Sequence, residues 1–446
     1  MANKTYDAIV IGSGIGGLSA TALLTCAGYK TLLVEKLPRL GGRFSSMDYK
    51  GYMLPTGALW LPAEGVVPEI FREIGAEYKL RCPDPQSHYR VGGKDYEIPV
   101  RGRLKYLISA AAEDETEAKR VLDAIQKAIS WHEPSTMISF RDWLMQYTQN
   151  PRILGIFRAL ITAWHTVNSH EISAGKFFRF LKTSNPTQFG YPPDGAESLM
   201  NSLAQAIRAK GGEVWTQCSV KRITVTEGKV RGVVVEKNGE QAEIEAGVVI
   251  SNAGPKKTVQ LTGEENFDRG YLMQMANFLR PIPVTGVALS SDRPLIDCPG
   301  TLLITEARRL NIIFNSNQTC PEHSPPGRYY IHGFSAPENC LGPVDFKKEI
   351  DLLIMDLKDN IPGFDAHAEI LHVSCFSGEW PVIRSWPDYR MPQTTLVENL
   401  YNVGDGVEPA EYPGVSGAVQ SARMVVEDIK KRIPVERLTI LAELRK

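Results

Sequence analysis

The run Gly12-Ser13-Gly14-Ile15-Gly16-Gly17 has G-x-G-x-x-G spacing, and its chemistry is that of main chain brought close to an anion. Gly12 permits a tight turn, Gly14 lets the backbone approach a pyrophosphate, and Gly17 allows a helix to pack closely on a strand. Ile15 and Gly16 would then present N–H groups at a helix N-terminus, where the peptide dipoles favour negative charge. Eighteen residues after Gly17 stands Glu35, followed by Lys36. A carboxylate there accepts hydrogen bonds from both ribose hydroxyls and repels a 2′-phosphate, so these residues predict a dinucleotide site.

The elements that must hold this motif can be read around it. Residues 6–12 form a continuous apolar run with β-branched residues, residues 15–27 are small and apolar and end at Gly28, and residues 30–35 form a second apolar run. The order β-α-β implies a right-handed crossover and a parallel sheet. Helix-like stretches follow at 103–112, 115–131, 140–149 and 153–166, in a segment rich in aromatics. A helix at 198–210 stops at Gly211-Gly212, and strands are expected at 213–217, 220–226, 230–236, 241–245 and 248–251. Strand-like runs within 281–335, a helix at 346–360 and a closing strand, turn and helix at 399–429 complete the chain.

Three further groups of residues decide which dinucleotide binds: Gly41-Gly42-Arg43, Ser251-Asn252-Ala253-Gly254 and Gly404-Asp405-Gly406, the last followed by Tyr412-Pro413-Gly414-Val415. Together with the first motif they resemble the FAD-binding signature of the group that includes amine oxidases, phytoene desaturases and protoporphyrinogen oxidases. The pattern is closest to phytoene-dehydrogenase-like proteins. The resemblance implies that Gly42 and Arg43 lie along the cofactor, that the strand holding Val220 runs beside the adenine, and that Asn252 returns the chain to the dinucleotide. It implies that Gly404 and Asp405 sit at the ribityl chain, with Asp405 accepting its hydroxyls, and that Gly414 and Val415 open a helix aimed at the flavin. The cofactor is then FAD, held non-covalently, since no cysteine stands near 404–419.

The implied fold is α/β: a Rossmann-like FAD-binding domain of the GR2 type interleaved with an α+β substrate domain. The expected division gives 1–90, 198–260 and 372–432 to the first and 91–197 and 261–371 to the second, with a helix or tail at 433–446.

Composition excludes several classes. Fifty basic residues against 51 acidic give a net charge of -1, with no basic block, so no nucleic-acid partner is expected. The seven cysteines are scattered and never in a C-x-x-C pair, which points to a reducing, cytoplasmic setting without a disulfide framework. His165 and His170 are five apart, off helical ligand spacing, so no metal is expected. No run of ~18 apolar residues suggests a membrane span, although Phe177, Phe178 and Phe180 beside Arg179 and Lys182 raise a peripheral membrane contact against a buried helix face.

The expected reaction is hydride transfer between flavin N5 and a C–H of an apolar, unsaturated or alicyclic small molecule, as in desaturases, saturases and isomerases of the resembled group. Trp60, Trp164, His165, Trp380 and Tyr412 are the candidate pocket aromatics, and no acid or base is identified. With no second G-x-G-x-x-G for a nicotinamide, electrons pass to or from a quinone, O2 or a redox protein. A flavin amine oxidase with Trp380 and Tyr412 as its aromatic pair, and an FAD protein without redox turnover, are the alternatives.

Overall fold

The computed structural model describes residues 4–99, 101–131, 137–183, 188–387, 389–409, 412 and 414–435. The expected tail at 433–446 lies outside these from 436 onward, as does Pro413.

Two seven-stranded sheets organise the chain. The first is built on Thr5–Ile11, whose Ala8 to Ile11 are fully enclosed because the strand is flanked on both edges and covered on both faces. It pairs in parallel with Thr31–Val34 on one side and with the end of Glu240–Ser251 on the other. Glu213–Trp215 extends the sheet beyond Thr31–Val34, and Leu400–Asn402 pairs in parallel with residues 249–251. The register sets Ile11 opposite Val34 and Ser251, and Ser251 opposite Asn402. Four C-terminal strand ends therefore share one edge, the place where open parallel sheets bind ligands.

The Glu240–Ser251 strand changes partner along its length. Its first half closes an antiparallel meander with Ser219–Thr226 and Lys229–Lys237, and its second half joins the parallel core. The sequence suggests two strands here, but the backbone runs unbroken through Ala246-Gly247 because hydrogen-bonding partners exist on both halves.

Helix Ile15–Cys26 is buried on nearly all sides, as expected for an element apolar all round. It is wedged between the sheet, helix Gly195–Ala209 and the closing helix Gly414–Arg432.

The second sheet runs Ala368–Phe376, Val284–Ser291, Tyr329–Ser335, Ile312–Phe314, Thr301–Ile304, Ser87–Val91 and Lys94–Glu97. All neighbours are antiparallel except Thr301–Ile304 with Ser87–Val91. Division points at 90/91 and 371/372 would cut two of these strands, so the second layer takes in residues 87–90 and 372–376 as well. The helices at 103–183 pack over this sheet around Phe140, Phe157 and Phe177. The helix expected at 140–149 is Phe140–Leu144 only. Asn150 accepts the Arg152 N–H and Pro151 starts the next helix, so the chain must break in between. Phe177 and Phe178 are buried in this core rather than turned outward.

Candidate functional site

The loops that follow the four aligned strand ends enclose a cavity of about 740 Å³ that continues between the two sheets. Gly12, Gly14, Ile15, Gly16, Glu35, Lys36, Gly42, Arg43, Val220, Asn252, Gly404, Asp405, Gly414 and Val415 all line it. Gly17 does not; a Cβ there would lie 2.1 Å from the Gly12 carbonyl oxygen, so its task is to let the helix close on the turn.

Asn252 is the keystone of this end. Its amide oxygen accepts the Gly14 N–H at 3.1 Å and its NH2 donates to the Val403 carbonyl at 3.3 Å. A Cβ at Gly14 would come within 2.4 Å of that amide, and one at Gly404 within 2.7 Å. The closest approach at Gly14 is thus to the side chain that follows the Glu240–Ser251 strand, while the N–H groups of Ile15 to Gly17 precede the first intrahelical bond, Leu18 N–H to Gly14 C=O. Glu35 is buried, and its Oε2 accepts both the Ser13 N–H (2.8 Å) and the Ser13 hydroxyl (2.6 Å), while Oε1 accepts the Leu37 N–H (2.8 Å). One of its roughly four acceptor positions stays open, enough for one ribose hydroxyl rather than two.

Midway along the cavity, Arg43 and Asp405 form a bidentate pair, Nη2 to Oδ1 at 2.7 Å and Nη1 to Oδ2 at 2.8 Å. Arg43 Nη1 also donates to the carbonyls of Pro381 (2.8 Å) and Val382 (3.0 Å). Asp405 further accepts the Arg384 N–H on Oδ2 (2.9 Å) and Arg384 Nη1 on Oδ1 (3.2 Å). Its lone pairs are then all engaged, so the ribityl-hydroxyl role expected for Asp405 is filled by two arginines. Burial pushes this carboxyl toward its neutral form, but the Arg43 and Arg384 charges outweigh it and hold the pKa well below the usual carboxylate range. Behind it, burial and the Asp405 charge push the Glu408 carboxyl well above its ordinary value, and Glu408 Oε2 accepts the Gly414 N–H at 3.0 Å.

The far end is apolar. Trp60, Trp164, Phe314, Phe334, Phe376 and Trp380 present six aromatic rings to the cavity. Trp60 sits edge-on to Tyr191 at 5.0 Å, and Trp380 is fixed by its indole N–H on the Thr56 carbonyl at 3.0 Å. Two expected wall residues are elsewhere. His165 turns into the helical core, edge-on to Phe180 at 4.8 Å, where burial lowers its pKa to about 3. Tyr412 is 40% exposed and does not line the cavity, so no Trp380–Tyr412 aromatic pair forms. Phe314, Phe334 and Phe376 are wall residues that the sequence did not single out, since only the pairing of the second sheet brings them together. Arg384 was also missed; its nearest cue was its place between Trp380 and the Gly404-Asp405 turn.

The donors at this end and the free space beside two glycines leave room for a flavin. At Gly42 and Gly414 a Cβ would meet no atom within 4 Å, and both residues line the cavity, so a side chain at either would take up ligand space.

A family model described as flavin containing amine oxidoreductase matches residues 15–430. The chain is 26% identical to an uncharacterized protein of Methanocaldococcus jannaschii over 442 residues, covering 94% of this chain and 98% of that one. It is 25% identical to the 15-cis-phytoene desaturase of Capsicum annuum over 460 residues, covering 96% of this chain and 78% of that one. An oxidoreductase structure from Methanosarcina mazei superposes with a TM-score of 0.83 at 25% identity, covering 94% and 99% of the two chains.

Proposed function

The chain belongs to the family of flavin-containing amine oxidoreductases, and from that premise we propose that it binds FAD non-covalently and oxidises or reduces a C–H of an apolar, unsaturated or alicyclic small molecule. The observation that carries this reading is the contrast between the two ends of one cavity. The end at the strand termini offers backbone N–H groups, a ribose-binding carboxylate and arginines, while the other offers aromatic rings. Among the described residues that line the cavity, Glu379 is the one carboxylate beside that apolar wall, and it is exposed. An ammonium ion entering there would lose its water without gaining a buried counter-charge, whereas a hydrocarbon loses nothing. The phytoene desaturase likeness agrees with this choice.

When bound, the flavin supplies the redox step by exchanging hydride at its N5. The chain's own contribution is positional. Glu35 takes a ribose hydroxyl, the N–H groups of Ile15 and Gly16 take phosphate oxygens, and the Arg43–Asp405 clamp fixes the loop at 41–43 against 381–384. The aromatic wall orients the substrate and excludes water. Val220 lies alongside the adenine end, and the other half-reaction runs with a quinone, O2 or a redox protein.

Anaerobic mixing of the purified yellow protein with a polyene, a cyclic alkene acid and a diamine tests this. Bleaching of the visible flavin band by the polyene or the cyclic compound is the expected result. Bleaching by the diamine alone would make the protein an amine oxidase, and bleaching by none would favour a redox-silent flavoprotein. A colourless protein that cannot be reconstituted with FAD would overturn the cofactor assignment.

A further inference from the structure

The two arginines on Asp405 are not equivalent. Arg43 has both terminal nitrogens engaged by protein acceptors: the two Asp405 oxygens and the carbonyls of Pro381 and Val382. Arg384 spends one side-chain nitrogen, Nη1, on Asp405. Among the described residues no acceptor meets its Nε or Nη2, although a guanidinium carries five N–H donors. The side chain is 24% exposed and lines the cavity. Its stem passes directly over Gly254, where a Cβ would lie 2.8 Å from Cδ and Nε, so the guanidinium is held in place rather than free to swing into solvent.

Charge leads to the same residue. Two guanidinium charges face one carboxylate, and Asp405, whose lone pairs these two residues already occupy, has none left for a further donor. One positive charge is left over inside the protein. Of the other titratable groups around the cluster, Glu379 acts on Arg384 as an opposite charge, but from an exposed position where solvent screens it. Glu408 stands behind Asp405, on the Gly414 N–H, with Lys176 and Arg390 as its own cationic neighbours. Arg384 shares its one carboxylate with Arg43, and a partly buried excess charge of this kind is costly until an anion balances it.

We propose that Arg384 is an anion-binding residue of the cofactor site, its free guanidinium edge meeting the negative charge of the bound flavin dinucleotide. The proposal rests on the flavin reading above and adds to it a residue outside every recognisable cofactor motif of the chain. That negative charge has two sources in one ligand: the pyrophosphate, which is always charged, and the ring, which gains charge on reduction. Arg43 acts one step back, as a positioning residue that shares Asp405.

Measured on the full chain, Arg384→Met and Arg384→Lys separate these cases, with the Kd of oxidised FAD, the midpoint potential of the bound flavin and the Tm of the apoprotein as readouts. If the pyrophosphate is the partner, R384M weakens binding of oxidised FAD about tenfold or more and leaves the potential in place. If the reduced ring is the partner, oxidised FAD binds as before and the potential falls, by ~30 mV for each tenfold loss in affinity for the reduced form. In both cases R384K recovers most of the loss. The apoprotein Tm of R384M stays level or rises, because the Arg43–Asp405 pair is left balanced. Unchanged affinity and potential in R384M would overturn the proposal, as would an R384K defect equal to that of R384M or an apoprotein Tm that drops with the holoprotein Tm. A wild-type protein that takes up no flavin would instead defeat the cofactor reading itself.

Discussion

At the residue scale the cofactor end is a set of short-range fits with little slack. The Asn252 amide occupies the space that a methyl group on Gly14 would need, with a contact of 2.4 Å. Gly14→Ala is therefore expected to cost flavin retention and stability through Asn252. In an Asn252→Ala background the added methyl finds room, so the two substitutions should show a coupling of ~0.5–3 kcal/mol in a double-mutant cycle followed by thermal unfolding. Simple additivity would remove Asn252 from its central place. Asp405 makes a second, pH-dependent case. Its folded pKa lies below the ordinary value of 3.8, so its stabilisation is fully present above pH 3.8 and is lost as pH falls through the folded value. The stability difference between wild type and Asp405→Asn, measured by denaturant melts, should thus hold constant near neutrality and shrink in acid. Glycine spacing and Glu35 were legible in the sequence because their contacts are local or strand-to-strand. The engagement of Asp405 was not, since both arginines arrive from other loops.

At the element scale the two sheets divide the labour. Parallel pairing brings Ile11, Val34, Ser251 and Asn402 to one edge, and that much followed from the order of strands and glycine turns along the chain. The apolar wall comes from the ends of the Val284–Ser291, Ile312–Phe314, Tyr329–Ser335 and Ala368–Phe376 strands and from the helix Pro151–His165. Nothing local marks Phe314, Phe334 or Phe376 as neighbours, because cross-sheet register is set by pairing over long separations. Tyr412 shows the converse: close in sequence to the closing helix, it faces away from the cavity. Substitutions in the second sheet should accordingly act on substrate and leave the cofactor alone. Phe334→Ala is expected to raise KM for the reacting hydrocarbon several-fold, with flavin content per chain unchanged by absorbance. Equal loss of flavin would show that the wall and the cofactor end are one structural unit.

At the scale of the whole molecule, stability should depend on pH through buried histidines, of which His165 and His332 are more strongly shifted than His323. Burial holds His165 and His332 neutral, each with its pKa lowered from 6.5 to about 3. Because the unfolded chain binds protons that the folded one refuses, their contribution is complete above pH 6.5 and declines from there toward pH 3. The slope expected is up to ~1.4 kcal/mol per pH unit for each ring. Urea midpoints that fall from pH 6.5 downward, with a shallower fall in His332→Phe, would bear this out; a flat profile over that range would contradict it. The parallel pairing of Ser251 with Asn402 also bears on biosynthesis. During translation, the strands ending at Ile11, Val34 and Ser251 emerge long before residue 402, so the nascent chain has a glycine-rich turn without the edge that completes it. Such long-range closure is slow. The edge that would receive a flavin is therefore complete only once the last strand, Leu400–Asn402, has docked against residues 249–251.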